Sequence, residues 1–327
     1  MASTSAASKL AKFIRGDATD TYRPYDSAEY SSFRAGVPQR TISVSTAGEA
    51  SPSSVTSKNW ICYDAGPKSV KTPLVFLPPV CGAADCFFKQ ILPLSAKGYR
   101  TIALQWPPYW TLADFNQGLL QVLDALQLTR VHLFGSSLGG YLCQSFAGFS
   151  FSTGRVASLL LCNTFTDTAI FKRHESALVF WAMPSVFLKR LILTGLTRTE
   201  PEADIADSVD FMVDSLEHMT QADLASRMTL NCTKSTVHPE MLHALPVTLV
   251  DVFDKCALSR RARDQMRLSY PQARKGHLKN GGNFPFLSRP AEVNLYIQIH
   301  LRQFEGGPLS AKEADGDDAA AAAAYAT

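Results

Sequence analysis

The segment Val131–Gly140 (VHLFGSSLGG) places two glycines around a serine, directly after a short apolar run. The run predicts a buried strand, and the sequence YLCQSFAGF that follows predicts a helix. A strand that passes straight into a helix needs a sharp turn, and side chains at Gly135 and Gly139 would collide across it. The segment therefore predicts a strand–turn–helix unit that raises Ser137 above one end of a sheet.

Short apolar runs alternate with helix-compatible segments such as Leu112–Leu128 along most of the chain. The predicted strands are Arg40–Val44, Trp60–Tyr63, Leu74–Leu77, Thr101–Leu104, Val131–Phe134, Ser158–Cys162, Val247–Val252 and Ala273–Lys279. Ser45–Ser57 is predicted to be a loop. Continuous apolar strands separated by helices indicate a parallel sheet covered on both faces. Together with the G-x-S-x-G turn, this predicts the α/β class and, within it, the α/β-hydrolase fold, a mostly parallel doubly wound sheet.

The alternation stops between Thr166 and Leu245, where the pattern is helical. Residues 166–245 are therefore predicted to form a helical cap inserted between late strands, with the core in residues 30–165 and 246–304. Residues 1–29 and the alanine-rich tail 305–327 have the composition of disordered segments. The Ser/Ala-rich, basic stretch 1–15 also suits an organellar targeting signal, which is the alternative interpretation.

The composition excludes several classes of protein. The 32 Lys and Arg and 29 Asp and Glu residues are spread along the chain, unlike the concentrated basic face of a nucleic-acid-binding protein. The seven cysteines form no C-x-x-C pair, which predicts a reducing compartment and no metal site. No phosphate-binding glycine motif is present, so no cofactor is expected. The longest uncharged apolar stretch, Ser176–Leu188, is too short to span a membrane, and a soluble cytoplasmic protein is predicted.

The fold predicts where the partners of Ser137 belong, because its triad follows the chain order serine, acid, histidine. The acid belongs after the strand Val247–Val252, where Asp254 is the first candidate and Asp251 the alternative. Asp254 could instead merely cap the next helix. The N–H groups of Val80 and Leu138 are the candidate donors of a partial oxyanion hole, since Pro78-Pro79 removes two donors from that loop.

The position predicted for the histidine holds Asn283, in the sequence GGNFPFL before the last helix. Active members of this fold usually resemble GGHFPFL there. A carboxamide has no pKa near neutrality, so it cannot accept the serine proton and pass it to a leaving group. The triad is therefore predicted to be disarmed. The alternative is that a histidine from the cap or its return reaches the site, with four candidates: His174, His218, His238 and His243. Three other histidines are predicted to be structural: His132, His277 and His300.

These residues together resemble the maspardin family, a group of α/β-hydrolase-fold proteins regarded as non-catalytic. The resemblance runs from Phe33 to Phe304. Its carriers include YDAGPKS (63–69), PLVFLPPVCGAADCFFKQIL (73–92), VHLFGSSLGGYLCQSFA (131–147), PVTLVDVFDKCALS (246–259) and KNGGNFPFLSRPAEVNLYIQIHLRQF (279–304). The resemblance implies a cytosolic protein that meets endosomal and trans-Golgi membranes. It also implies protein partners, which in animals include the cytoplasmic tail of a receptor.

Three hypotheses for function follow. The first is a non-enzymatic adaptor that binds protein partners, and a peripheral membrane contact through the cap is compatible with it. The first surface to test is the apolar stretch of the cap, unless it only closes over the core: Val179, Phe180, Trp181, Val186, Phe187 and Leu188. The second is a weak or unconventional serine hydrolase acting on an ester or thioester through Ser137. The third is a small-molecule sensor whose pocket lies under the cap.

Overall fold

The computed structural model describes residues 27–48, 51–171, 177–194 and 202–313, and its centre is one eight-stranded sheet. The strands are β1 (Gln39–Gly48), β2 (Ser51–Ala65), β3 (Leu74–Leu77), β4 (Thr101–Gln105), β5 (Val131–Ser136), β6 (Val156–Cys162), β7 (Val247–Val252) and β8 (Arg274–Leu278). Their spatial order is β1-β2-β4-β3-β5-β6-β7-β8. The pairs β1–β2 and β2–β4 are antiparallel and the other pairs are parallel. The predicted α/β-hydrolase fold is confirmed.

Helices cover both faces of this sheet. They are α1 (Ala28–Gly36), α2 (Phe88–Ala96), α3 (Leu112–Ala125), α4 (Leu138–Phe149), α5 (Ala177–Ala182), α6 (Ser185–Thr194), α7 (Ala203–Glu217), α8 (Gln221–Cys232), α9 (Arg260–Ser269), α10 (Pro285–Ser288) and α11 (Pro290–Leu301). Successive side chains of a strand point to opposite faces. On β3, Leu74 and Phe76 pack into one hydrophobic cluster, and Val75 and Leu77 pack into the other. Every residue of β3 is buried, as expected for a strand covered on both sides.

The helices α5 to α8 all lie between β6 and β7 in the chain, where the cap is predicted. Helix α8 is attached firmly to the core. The hydroxyl of Ser226 accepts a hydrogen bond from the Tyr109 N–H at 2.9 Å and donates to the Tyr109 carbonyl oxygen at 2.7 Å. This two-way bond joins α8 to the segment after β4, so α8 forms a fixed roof over the carboxyl ends of the strands.

The predicted loop Ser45–Ser57 is wrong. Strand β1 continues to Gly48 and β2 begins at Ser51, with Thr46 opposite Thr56 in the antiparallel register. The ladder consists of backbone hydrogen bonds, which do not require the apolar side chains that the prediction relied on. A polar Ser/Thr-rich sequence can therefore extend a hairpin at the edge of a sheet.

The predicted disordered tail begins too early, because residues 305–313 pack against the core. The carbonyl oxygen of Ala311 accepts a hydrogen bond from the Arg100 N–H at 2.9 Å, and its side chain is 1% exposed. The Glu313 N–H donates to the Gly98 carbonyl oxygen, also at 2.9 Å. Backbone pairing holds this polar segment, which composition alone does not show. The remainder, 314–327, lies outside the described residues, as do 1–26 with the proposed targeting signal. Helix α1 begins at Ala28, inside the predicted extension.

Three general features were examined in the same ranges of the chain. No helix there is both long and apolar enough to cross a membrane. No group of three or more His, Cys, Asp and Glu side chains in the described part could hold a metal ion. The seven cysteines, all within the described ranges, form no disulfide there, and six of them are buried.

Candidate functional site

Ser137 occupies a strained turn between β5 and α4. Its backbone has φ 49° and ψ −119°, in the half of the map that residues other than glycine rarely adopt. Neighbours hold this conformation: the Ser137 N–H donates to the Cys162 carbonyl oxygen at 3.1 Å, and the Thr164 hydroxyl donates to the Ser137 carbonyl oxygen at 2.6 Å. Surrounding structure that enforces an unfavourable conformation is typical of functional sites.

The two glycines of the motif are required by close backbone approaches. A Cβ on Gly135 would lie 2.4 Å from the carbonyl oxygen of Gly139. A Cβ on Gly139 would lie 2.1 Å from the carbonyl oxygen of Leu77, the last residue of β3. Both distances are far below van der Waals contact, so the turn and the adjacent strand tolerate only glycine. The steric reason given for the motif is therefore correct.

A cavity of about 510 Å³ lies between this turn and the cap. Ser137 and Asn283 both line it, from the loops that follow β5 and β8. The cap contributes residues of α6 and α8, including Ile192 and Asn231. The fold thus brings together two of the three predicted triad positions.

Asn283 is half-buried, and its carboxamide oxygen is already engaged. Oδ1 accepts a hydrogen bond from the Ala257 N–H at 2.6 Å. This bond ties the loop after β8 to the loop after β7. Asn283 therefore joins two loops of the site, and its side chain offers no group that can accept a proton from Ser137 at neutral pH.

The carboxylate of Asp254 points to the backbone just before Asn283. Its Oδ2 accepts hydrogen bonds from the N–H groups of Gly281 and Gly282, at 3.1 and 3.0 Å. Its Oδ1 is buried and has no hydrogen-bond partner among the described residues. Asp254 does not line the cavity. One carboxylate oxygen thus remains available beside the position where an active hydrolase carries its histidine.

Asp251, the alternative acid, is directed elsewhere. It is buried near the end of β7, and its Oδ2 lies 3.3 Å from Nη2 of Arg267. Burial raises the pKa of Asp251, and the positive charge of Arg267 opposes that rise. Because Asp251 is paired with Arg267 and Asp254 contacts the segment before Asn283, we retain Asp254 as the acid position.

The loop after β3 is held by a buried arginine that the sequence analysis missed. Nη1 of Arg227 donates to the carbonyl oxygens of Pro79 and Val80 at 3.3 Å each and of Gly82 at 2.5 Å. The guanidinium lies 4.6 Å from the centre of the Trp106 ring, and burial lowers the pKa of Arg227 to about 10. The only signal was an arginine inside the otherwise uncharged run LASRMTLNC.

The two predicted oxyanion donors occupy different parts of this site. Val80 lines the cavity on the loop that Arg227 holds. Leu138 is the first residue of α4, and a first-turn N–H has no acceptor within its own helix. The structure therefore leaves a partial oxyanion hole available, although the preceding Pro78 and Pro79 contribute no N–H group.

No described histidine lines the cavity. Three of the proposed substitutes are exposed and bonded locally: His218 to the Asp214 carbonyl oxygen, and His238 and His243 to Glu240. His174 lies outside the described residues. The three histidines predicted to be structural sit elsewhere in the fold. His277 stacks on Phe253, with ring centres 5.0 Å apart, and His132 and His300 are buried on β5 and α11.

The cavity also lacks charge. Its lining, as far as the chain is described, contains no Asp, Glu, Lys or Arg side chain. Three cysteines line it, and burial raises the pKa of Cys81 to about 12 and that of Cys256 above its ordinary value. These two thiols are therefore protonated at neutral pH. The site can bind and orient a molecule, but it presents a serine hydroxyl with no base.

Comparison with known sequences gives two kinds of match. A family model described as "Alpha/beta hydrolase family" matches residues 74–294. Maspardin from Danio rerio is 51% identical over 280 residues, covering 86% of this chain and 88% of that relative. Maspardin from Homo sapiens is 50% identical over 285 residues, covering 87% of this chain and 90% of that relative.

Solved structures share the same architecture. An esterase from Thermogutta terrifontis superposes with a TM-score of 0.63 at 18% identity, over 80% of this chain and 98% of that one. An enol-lactonase from Burkholderia xenovorans LB400 superposes with a TM-score of 0.62 at 14% identity, over 79% of this chain and 100% of that one. At these identities the likeness shows the fold alone.

Proposed function

Because the chain belongs to the maspardin family of α/β-hydrolase-fold proteins, we propose that it is a non-catalytic adaptor that uses this fold to bind protein partners. The observation that carries the proposal is Asn283 in the position of the catalytic histidine, with its Oδ1 bonded to the Ala257 N–H. A hydrolase fold can serve recognition alone, because fold does not dictate function.

The chemical argument concerns one proton. For Ser137 to attack a carbonyl carbon, a base within hydrogen-bond reach must take the proton from its hydroxyl. No described residue of the cavity lining is an imidazole, a carboxylate or an amine. Removing one member of a catalytic triad lowers turnover by up to about 10⁶-fold. Ser137 therefore remains a neutral hydroxyl, and its turnover is at background.

An esterase assay with short acyl p-nitrophenyl esters tests this. Wild type and Ser137→Ala are expected to show equal background rates, whereas Asn283→His is expected to gain a rate that the additional change Ser137→Ala removes. The gain is expected because Oδ1 of Asp254 has no partner in the described structure and can orient an imidazole at position 283. Turnover by wild type that Ser137→Ala abolishes would contradict the proposal.

The proposed partner surface is the exposed side of α5 and α6. The apolar stretch predicted there divides into two sets, because Phe180 and Leu188 are fully buried against the core. The exposed set contains large apolar side chains, with Leu178 75% and Trp181 62% exposed, and is completed by Val179, Val186 and Phe187. Exposed apolar patches of this kind mark interaction sites. In line with the family resemblance, we propose that this cap patch binds its partner at the surface of endosomal or trans-Golgi membranes.

Proximity labelling in cells tests the cap patch. The variant Trp181→Ser/Phe187→Ser is expected to lose specific labelled proteins that wild type retains. Phe149→Ser/Phe151→Ser is the matched control, because both phenylalanines are about half exposed outside the cap. Identical labelling by both variants and wild type would exclude the cap patch. Flotation with phosphatidylcholine vesicles separates direct lipid binding from protein binding, since adaptor binding alone leaves the protein unfloated.

A weak serine hydrolase remains the second candidate, and a specific observation favours it. Ser137 lines the cavity from a strained turn, with φ 49° maintained by its neighbours. A fluorophosphonate probe that labels wild type but not Ser137→Ala would support this candidate. Equal, background labelling of both proteins would exclude it.

A further inference from the structure

The cavity beneath the cap is closed to charged molecules by its own chemistry. It measures about 510 Å³, within the range of small-molecule sites in proteins. Its walls are largely apolar, with Phe171 and Phe284 beside Ile192 and Met228. Since no described lining residue is ionised at neutral pH, an ion would lose its hydration there without gaining a counter-charge. Any ligand of this cavity is therefore neutral and mostly apolar.

Two buried carboxamides give the cavity a polar end. Asn163 and Asn231 both line it and are 3% and 7% exposed. The Oδ1 atoms of both residues have no hydrogen-bond partner among the described residues. The orientation of Asn163 is determined, because its Nδ2 donates to the Gly282 carbonyl oxygen at 3.1 Å and a flipped amide would place two oxygens in contact. Two acceptors without donors are thus built into one wall of the site.

Buried polar groups in folded proteins are almost always hydrogen-bonded. Two acceptor oxygens are satisfied by a molecule that donates, through a hydroxyl or an amide N–H. Asn163 lies on the loop after β6 and Asn231 on α8, so the sheet side and the cap side each supply one acceptor. Ser137 adds a hydroxyl to the same cavity, which can donate to or accept from the ligand's polar group.

We propose that this cavity binds a neutral lipid-like molecule, an alkyl or acyl chain that ends in a hydroxyl or a primary amide. The chain lies against the apolar wall, and the donor group bonds to Oδ1 of Asn163 and of Asn231. Bound in this way, the ligand joins the cap to the sheet. The inference rests on the proposed function in one respect, that the ligand is held and not turned over.

Isothermal titration calorimetry with four probes of equal chain length tests the ligand class. The probes are 1-decanol, decanamide, methyl decanoate and the decanoate ion, titrated into the full chain. Decanol and decanamide are expected to bind about tenfold more tightly than methyl decanoate, which accepts but cannot donate. The decanoate ion is expected to bind least. Equal binding of decanol and methyl decanoate, stronger binding of decanoate, or no binding of any probe would overturn the inference, the last result showing a cavity that holds only water.

Variants test the position of the donor group. Asn231→Leu conserves side-chain size, and is expected to weaken decanol binding about tenfold while leaving methyl decanoate unchanged. The matched control is Asn294→Leu, because Asn294 is also 7% exposed with an unpartnered Oδ1 but lies on α11 outside the cavity lining. If Asn231→Leu does not fold, Leu191→Trp in the cap is the second test and is expected to abolish binding of every probe. Unchanged decanol binding in both would overturn the assignment.

The same probes separate this inference from the proposed function. Release of decanoate from methyl decanoate by wild type but not by Ser137→Ala would overturn the non-catalytic proposal. The binding result would then be read from Ser137→Ala, which retains both asparagines. An absence of decanol binding, with no ester turnover, would overturn the ligand assignment and leave the non-catalytic proposal in place.

Discussion

Nε2 of His132 lies 2.8 Å from the carbonyl oxygen of Leu309, and this contact decides the protonation of two buried histidines. A carbonyl only accepts, so Nε2 of His132 carries the proton and its Nδ1 is bare. The Ser158 hydroxyl then donates to that Nδ1 at 2.7 Å, and its oxygen accepts from Nε2 of His300, also at 2.7 Å. Nδ1 of His300 accepts from the Thr248 hydroxyl at 2.7 Å. Every bond in this chain therefore runs in one direction, with both rings neutral.

This chain of bonds predicts that the protein loses stability in mild acid. Burial lowers the pKa of His132 to about 4 and that of His300 to about 3, from an ordinary value of 6.5. Because the unfolded chain binds protons first, the stabilisation is complete above about pH 6.5 and is lost as the pH falls from there toward 4. The expected slope is about 1.4 kcal/mol per pH unit for each histidine. Burial raises the pKa of Asp85 and of Asp251, which offsets part of the loss as they protonate.

Urea unfolding at a series of pH values between about 7.5 and 4.5 measures this slope. The double variant His132→Gln/His300→Gln is expected to be less stable at neutral pH but to have a flatter dependence on pH. A free energy of unfolding that is constant for wild type over this range would show that the two rings contribute nothing to acid sensitivity.

Ser158→Ala is expected to lower the free energy of unfolding by about 2–4 kcal/mol at neutral pH. The substitution leaves Nδ1 of His132 without a donor and the Nε2–H of His300 without an acceptor, in a fully buried site. Ser43→Ala is the matched control, because its hydroxyl bonds to Asn59 on an exposed part of β1. The control is expected to change stability by less than about 0.5 kcal/mol. Equal effects of the two substitutions would disprove the role given to Ser158.

Gly139→Ala is expected to destabilise the fold by more than about 3 kcal/mol, because the new Cβ would meet the carbonyl oxygens of Leu77 and Pro78 at 2.1 and 2.5 Å. Gly148→Ala, in the same helix α4, has open space around the added atom. It is expected to stabilise the protein by about 0.5–1 kcal/mol through helix propensity. Thermal unfolding of the two variants checks both signs, and a stable, folded Gly139→Ala would refute the steric argument.

Truncation tests the packing of the C-terminal segment. A chain that ends at Glu305 loses the Leu309 acceptor of His132 and the bond from Arg100 to Ala311. It is expected to be less stable than the full chain by about 2–4 kcal/mol. A chain that ends at Glu313 keeps both contacts and is the control. It is expected to match the full chain, since the residues beyond it have the composition of a disordered tail. Equal stability of the two truncations would contradict the packing of 306–313.

Local patterns predicted most of the framework and of the candidate triad. The apolar runs of β3 and β5 are continuous because both faces of these strands are buried, so they can be read without a structure. The strained turn at Ser137 could be predicted because two glycines mark a steric requirement within five residues. Asn283 could be placed because it lies in a short motif between the last strand and the last helix. Polar segments that pair only through their backbone, such as 46–56 and 305–313, have no comparable pattern and were predicted wrongly.

The sequence by itself determined the α/β-hydrolase fold, the serine turn and the loss of the histidine, because each depends on residues close together in the chain. Only the tertiary structure decided which distant groups meet. It placed Asn163 and Asn231 in one cavity, bonded Arg227 to the loop after β3, and divided the apolar stretch of the cap into buried and exposed sets. Such contacts join residues that are far apart in the sequence, and their free energy depends on the packing of the whole domain. No local pattern of side chains encodes them.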